Sequence, residues 1–319
     1  MIDNNAALSG CVGHTYIQSL PEPYRGKVRD VYKLTPEVLA IVSTDRISAF
    51  DHILRQLIPY KGQILNTLAA FFFERVDDII KTHILDIPHP NVTIARACTP
   101  LPVEVVVRGY LTGHAWRVYN AGGRELCGVK LPDGMIENQP FPTPILTPAT
   151  KATEGHDQDI SEADILRQHI IPAQIWENIR QTAFRLFDRG SQIAREKGLI
   201  LVDTKYEFGL YHGELILIDE VHTPDSSRYF YSDGFEERLS NAMPQRQLSK
   251  EFIREWLMQQ GFQGLDGQLM PDIHDEFRIE IYQRYEELFT KLTGHQFIPT
   301  DTRHFMTELP QIVEPWTNK

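Results

Sequence analysis

One stretch, Leu199 to Val221, constrains the fold of this 319-residue chain more than any other. From Leu199 to Phe208 the side chains alternate with the period of a strand whose two faces meet different surroundings. Ile200, Val202, Thr204, Tyr206 and Phe208 share one face, and Asp203, Lys205 and Glu207 share the other. A second run, Glu214 to Val221, follows Tyr211-His212-Gly213, so the pair reads as an antiparallel hairpin. With those three residues as the turn, Lys205 lies opposite Asp219 and Glu207 opposite Leu217, which leaves Asp219 diagonal to Glu207. Two carboxylates so placed can hold one hard cation; the plainer alternative is the solvated outer face of a sheet. The adjoining HTPDSSRYF segment from His222 adds hydroxyls and a guanidinium.

Strands also dominate the first hundred residues. Lys27 to Leu34 and Val38 to Ser43 flank a Thr35-Pro36-Glu37 turn, and Val92 to Ala97 and Val103 to Tyr110 read as two more strands. Gln63 to Ile80 carries apolar residues at helical spacing. Between Gly122 and Thr150 the prolines Pro140, Pro142, Pro144 and Pro148 argue against a helix or a central strand, leaving a linker or an ordered loop over a cleft. Ser161 with Asp164 opens a short helix, and Pro172 opens a long one that runs to Lys197 and stops at Gly198. Helices are expected at Ser249 to Gln260 and at about Asp272 to Thr293. The class is α+β with antiparallel strands dominating.

Acidic residues outnumber basic ones by 43 to 32, so the chain lacks the charge surplus of a protein that coats a duplex. Small anions remain suitable ligands, because a local arginine cluster works inside an acidic protein. Cys11, Cys98 and Cys127 are too few and too scattered for a disulfide framework or a zinc knuckle. MIDNNAALSG has no basic segment followed by an apolar one, and the apolar patch Leu68 to Phe73 is too short to span a bilayer. The expectation is a cytoplasmic protein that binds neither nucleic acid nor membrane.

Three further segments carry polar groups at strand ends. In Tyr24-Arg25-Gly26-Lys27-Val28-Arg29-Asp30 a glycine beside a lysine lets backbone approach a polyphosphate while the ammonium neutralises it. Gly123 to Gly128 continues as Val129-Lys130, so no P-loop is present. STDRISAFD, residues 43 to 51, is either a capped turn built on Asp45 and Ser48 or part of a site. Arg108 ends an apolar strand and is either a structural ion pair or an anion anchor.

Together these segments resemble the phosphoribosylaminoimidazole-succinocarboxamide synthase (SAICAR synthetase) family of purine biosynthesis. The matching stretches are RGKVRDVY from Arg25, STDRISAFD from Ser43, VVVRGYLTG from Val105, TKATEGHDQDIS from Thr150, LILVDTKYEFGL from Leu199 and IDEVHTPDSSRY from Ile218. Each is modestly specific alone; six in family order are highly specific.

The resemblance implies an ATP-dependent carbon–nitrogen ligase that joins L-aspartate to carboxyaminoimidazole ribotide, giving SAICAR, ADP and phosphate. It implies a smaller N-terminal antiparallel-sheet domain, residues 1–102, and a larger ATP-grasp-like α+β domain, 103–319, ending in helices, with an ATP cleft between them. Carried over by position, Arg25, Gly26, Lys27 and Arg29 serve ATP, while Glu207 and Asp219 hold Mg2+. Arg108 and Arg228, with Ser227, receive the ribotide phosphate, Asp225 and His114 belong to the substrate-binding set, and the catalytic pair Asp203 and Lys205 faces the ribotide or the reacting carboxylate. Many members carry serine where this chain has His114, a larger and titratable donor. The aspartate site has no assigned atoms; segments 43–51 and 150–159 are candidates. The alternative is a small-molecule kinase using the same ATP and magnesium groups. Monomer and homo-oligomer both remain open.

Overall fold

A computed structural model describes residues 4–151 and 157–317. The TKATEGHDQDIS stretch is therefore described only at its two ends, with Ala152 to His156 outside the described residues. The chain divides into two compact units, one of Met1–Phe71, His83–Cys98 and Ser249–Lys319, the other of Phe72–Thr82 and Thr99–Leu248.

The first unit is built on a five-stranded antiparallel sheet. Its strands are β1 (Tyr24–Arg25), β2 (Arg29–Lys33), β3 (Val38–Ser43), β6 (Ile84–His89) and β7 (Val92–Arg96), in the order β1-β2-β3-β7-β6. The expected first hairpin is present, with Asp30 paired to Val42 and Lys33 to Leu39. Short α1 (Asn4–Ser9), the two-residue strands β4 (Ser48–Ala49) and β5 (His52–Ile53), and most of α2 (Lys61–Glu74) complete its N-terminal part. The C-terminal helices α7 (Glu251–Gln259), α8 (Asp275–Thr293) and α9 (Phe305–Val313) belong to this unit. That corrects the expected cut at 102/103. The reason is packing: Phe305, Leu309 and Val313 lie at helical spacing and are buried in one cluster with Val38, Ala40, Val42 and Ile94.

The second unit holds a larger antiparallel sheet. Its strands are β8 (Thr99–Tyr110), β11 (Pro140–Thr150), β12 (Gln158–Asp159), β13 (Leu199–Tyr211), β14 (Glu214–Ile218), β15 (Ser227–Tyr231) and β16 (Gln247–Leu248), ordered β12-β11-β8-β13-β15-β16 with β14 also on β13. Helices α3 (Gly113–Asn120), α4 (Glu162–Arg167), α5 (Ala173–Glu196) and α6 (Phe235–Ser240) and the small ladder β9 (Glu125–Leu126) and β10 (Val129–Lys130) complete it. α5 turns Trp176, Ile179, Ala183, Leu186 and Phe187 inward and packs on β13. Gly198 ends the helix segment at φ +69°, as its sequence position implied. Ser161 Oγ accepts from the Asp164 N–H at 3.0 Å, the expected cap of α4.

The proline-rich stretch is neither a linker nor a loop over most of its second half: it forms β11, which respects the exclusion of a helix or a central strand because it is mostly an edge strand. Only Ala149 and Thr150 are covered by β12, so most of β11 is an open edge on which a missing N–H breaks no ladder. Pro142 and Pro144 fall inside a register shift between Pro140 and Ile145. Among the described residues no helix is long and apolar enough to cross a membrane.

Candidate active site

β13 is the spine of the site, and its far edge is forked. β15 pairs with residues 199–204 and β14 with 207–211, while β8 runs along the other edge. The fork opens beside Lys205, whose backbone N–H donates to the Ser226 carbonyl at 2.9 Å. Chain ends diverge at such a fork, so side chains there escape full coverage by neighbouring strands.

The hairpin differs from expectation by one residue. Tyr211 pairs with Glu214 and Glu207 with Ile218, so the turn is the two-residue His212-Gly213, both left-handed at φ +50° and +80°. A one-residue slip would send Asp219 to the opposite face if pairing continued. Pairing instead stops at Ile218, and Asp219 itself turns left-handed at φ +68°. Its carboxylate still comes within 3.6 Å of Lys205 Nζ.

The apolar parity also breaks. Leu201 pairs with Tyr229 but Asp203 with Arg228, so Val202 is an extra residue, a bulge. Ile200 and Val202 pack with Tyr110, Phe230 and Phe235, whereas Tyr206 and Phe208 are buried on the other face. The bulge aims Asp203 where alternation alone would not have kept it beside the apolar Val202.

Two charge clusters result. In one, Lys205 Nζ lies 3.0 Å from Glu104 and also bonds Glu207, which is bonded in turn by Lys151. Burial works against the Lys205 charge, but Glu207, Glu104 and Asp219 outweigh it and hold the ammonium well above the lysine range. Burial likewise raises the Glu207 carboxyl, yet Lys205 and Lys151 bring it below the usual value. Among the described residues no group of three or more His, Cys, Asp or Glu forms a ready metal cage. Glu104, Glu207 and Asp219 are nevertheless donors of the hard-oxygen type that magnesium takes, and magnesium needs few carboxylates because it keeps waters and phosphate oxygens as ligands.

In the other cluster Arg108 Nη1 lies 2.9 Å and Arg228 Nε 3.3 Å from Asp203, so the fold gathers two guanidinium groups on one carboxylate. Burial pushes Arg108 downward, against the pull of Asp203, and its Nε donates to Thr147 Oγ1 at 2.9 Å. The backbone of Gly113, at φ +55°, lies so close to the Arg228 guanidinium that a Cβ there would overlap it. His114 follows, with Nε2 2.7 Å from Asp159 Oδ2. Asp225 is half-buried in the loop before β15. Ser227 is not on the Arg228 face: it pairs with Thr204, and its hydroxyl donates to Thr204 Oγ1 at 2.8 Å.

In the first unit Lys27 is half-exposed and paired with Asp51. Its loop is held by Arg46, which donates to the carbonyls of Gly26 (3.0 Å), Lys27 (3.2 Å) and Gly13 (2.6 Å) and to Asp30 (2.9 Å). Arg25 is engaged inward, with Asp30 at 3.1 Å and the Thr15 carbonyl at 3.2 Å, so it holds the loop in place of reaching out for a ligand. Arg29 starts β2, paired to Ser43. Asp45 accepts the N–H groups of Val12 (2.7 Å) and Gly62 (2.9 Å), and burial pushes its carboxyl up to about 6. Asp45 and Arg46 are thus architectural, the plainer of the two readings of segment 43–51.

Sequence reasoning does not single out Glu104, and it covers Arg46, Lys151 and Asp159 only as members of the candidate segments 43–51 and 150–159. Glu104 was findable, because it alternates with Val106 and Arg108 on β8 and so shares their face.

The chain has parallels in known proteins. The SAICAR synthetase family model matches residues 22–268. The chain belongs to the SAICAR synthetase family. A phosphoribosylaminoimidazole-succinocarboxamide synthase of Bacteroides thetaiotaomicron is 52% identical over 297 residues, 93% of this chain and 95% of that one. That of Cytophaga hutchinsonii is 51% identical over 274 residues, covering 86% and 88%. The solved SAICAR-synthase from Saccharomyces cerevisiae, complexed with SAICAR, superposes with a TM-score of 0.77 at 32% identity, covering 90% of this chain and 100% of that one. The family's α+β architecture thus accounts for the antiparallel sheets seen here.

Proposed function

We propose that the chain catalyses the family's reaction, ATP-dependent ligation of L-aspartate to carboxyaminoimidazole ribotide in purine biosynthesis, in the cytoplasm. The observation that carries this reading is the face of β13, where a carboxylate–ammonium cluster adjoins an arginine pair. The relatives above are synthases, and the kinase alternative is not favoured.

A carboxylate is a poor acyl donor. One oxygen of the ribotide carboxylate attacks the γ-phosphorus of ATP, ADP leaves, and an acyl phosphate forms. The aspartate amine then attacks the acyl carbon, phosphate departs with the C–O electron pair, and the amine loses a proton. No side-chain nucleophile is required, so catalysis rests on positioning and on cations at phosphoryl oxygens. Lys27, on the loop pinned by Arg46, neutralises ATP phosphate, with Gly26 and Arg29 beside it. Glu207 and Asp219 would hold magnesium, which supplies positive charge to phosphoryl oxygens when bound. Lys205 faces the reacting carboxylate. Arg108 and Arg228 receive the ribotide phosphate, and Asp203 sets their spacing. Asp225 and His114 border that end.

ADP release measured with and without aspartate, with the product mass, tests the reading. ADP and a product of SAICAR mass that both require aspartate are expected. A stable phosphorylated product formed without aspartate would replace the ligase by a kinase.

A further inference from the structure

We propose that Asp159 is a positioning residue that makes the ribotide-phosphate end of the site proton-dependent, acting through His114. This rests on the phosphate assignment above and adds a device to it. His114 stands in the first turn of α3, next to the Gly113 backbone that abuts the Arg228 guanidinium. Its Nε2 is 2.7 Å from Asp159 Oδ2. The hydrogen bond from His114 holds the Asp159 carboxyl below the usual range, so the carboxylate is ionised and can only accept.

Tautomer logic follows. Nε2 must carry a proton to donate to Asp159, and a neutral imidazole has only one N–H. Nδ1, the nitrogen left for a ligand, is then a bare lone pair that repels an anion. Only the imidazolium offers Nδ1–H while keeping its bond to Asp159. Asp159 thereby forbids the neutral tautomer that could serve a phosphate.

The surrounding charges leave this device intact. Asp159 also faces Arg108 of β8 and the Cys127 thiol between β9 and β10. Burial pushes that thiol up to about 12, so it stays neutral. Arg228 of β15, beside Gly113, is paired with Asp203 of β13. Only the imidazolium therefore adds a third cation to this end while keeping its bond to Asp159.

The test is calorimetric titration of SAICAR and of its dephosphorylated riboside between about pH 5.5 and about pH 8.5, the range over which histidines exchange their charge. The proteins are the unaltered chain, His114→Asn, His114→Ser and Asp159→Asn, with ATP binding at each pH as the check on folding. The phosphate's own ionisation affects every variant alike and cancels in the comparison. Relative to His114→Asn, the unaltered chain should bind SAICAR about ten- to a hundred-fold tighter at the acid end. That advantage should vanish at the alkaline end and be absent for the riboside. In Asp159→Asn the new side-chain amide can donate to Nε2, which leaves the neutral ring its Nδ1–H, so this variant should keep its advantage at all pH values. His114→Ser, with a hydroxyl that does not titrate, should show the same flat profile. Equal pH profiles for the unaltered chain and His114→Asn, or equal steepness in Asp159→Asn, would overturn the proposal while leaving the ligase reading standing. No SAICAR binding by the unaltered chain at any pH would overturn both.

Discussion

Glu207 and Asp219 reach the same ammonium by different routes, one from a strand interior and one from a left-handed residue just past a strand end. On the proposed reading, replacing either by alanine removes a hard-oxygen ligand without emptying a packed core. Turnover should fall about a hundred-fold or more for either. Thermal unfolding should stay close to that of the unaltered chain for Asp219→Ala and drop for Glu207→Ala, which leaves the buried Lys205 ammonium short of its main partner. Near-normal turnover at saturating magnesium would remove both from the cation site. The arginines behave differently because Arg108 is buried on Asp203. Arg108→Ala and Arg228→Ala should each weaken ribotide binding about ten- to a hundred-fold, the worth of one charge-assisted bond, and leave ATP affinity nearly unchanged. Arg108→Lys should recover only part of the loss, since an ammonium cannot form the bidentate fork. Calorimetry with each ligand separately checks this, and equal weakening of both would place these arginines elsewhere.

At the scale of elements, the fork of β13 depends on how the loop after β14 is anchored. His222 is fully buried beneath it, with Nε2 2.7 Å from the Tyr206 hydroxyl and its carbonyl accepting from Tyr229 at 2.7 Å. The ring fits because α5 carries Gly190 there; a Cβ would come within 2.9 Å of three ring atoms. Alanine normally stabilises a helix interior over glycine by about 0.5–1 kcal/mol. Here overpacking, at about 1–3 kcal/mol, wins. Gly190→Ala should therefore lower the melting temperature and, by shifting the loop that bears Asp219, raise the magnesium concentration needed for half-maximal turnover. An unchanged or higher melting temperature would show that the ring moves aside freely.

At the scale of the whole molecule, two buried groups oppose each other in acid. Burial holds the His222 imidazole down from 6.5 to about 3, so unfolding takes up a proton between those values. Its stabilisation is complete above 6.5 and is lost as pH falls. Burial raises Asp45 from 3.8 to about 6, so unfolding releases a proton between those values and stability grows on acidification. Each effect has a slope of about 1.4 kcal/mol per pH unit. From these two groups, stability should be nearly flat between about 6 and 3.8 and fall below 3.8. Asp45→Asn removes one arm, so its stability should fall throughout that interval. Denaturant unfolding at a series of pH values reads this directly, and parallel profiles for both proteins would refute the balance.

Patterns of short range were legible in the sequence. The alternation of β13, the Ser161 cap, the Gly198 stop and six ordered motifs specify strand, helix ends and family, because each rests on backbone geometry within a few residues. What the tertiary structure alone decided is where long-range partners meet. The bulge at Val202 and the two-residue turn each shift register by a single residue, too little for composition to signal, and the left-handed Asp219 lies just past the paired residues. Such shifts nonetheless move a side chain from one face of a sheet to the other. Ser227 and Arg228 are strand neighbours and alternate onto opposite faces, and Asp219 comes to Lys205 only by its own backbone twist. Arg108, Asp203 and Arg228 lie far apart along the chain, and only three strands in ladder bring their charges onto one face.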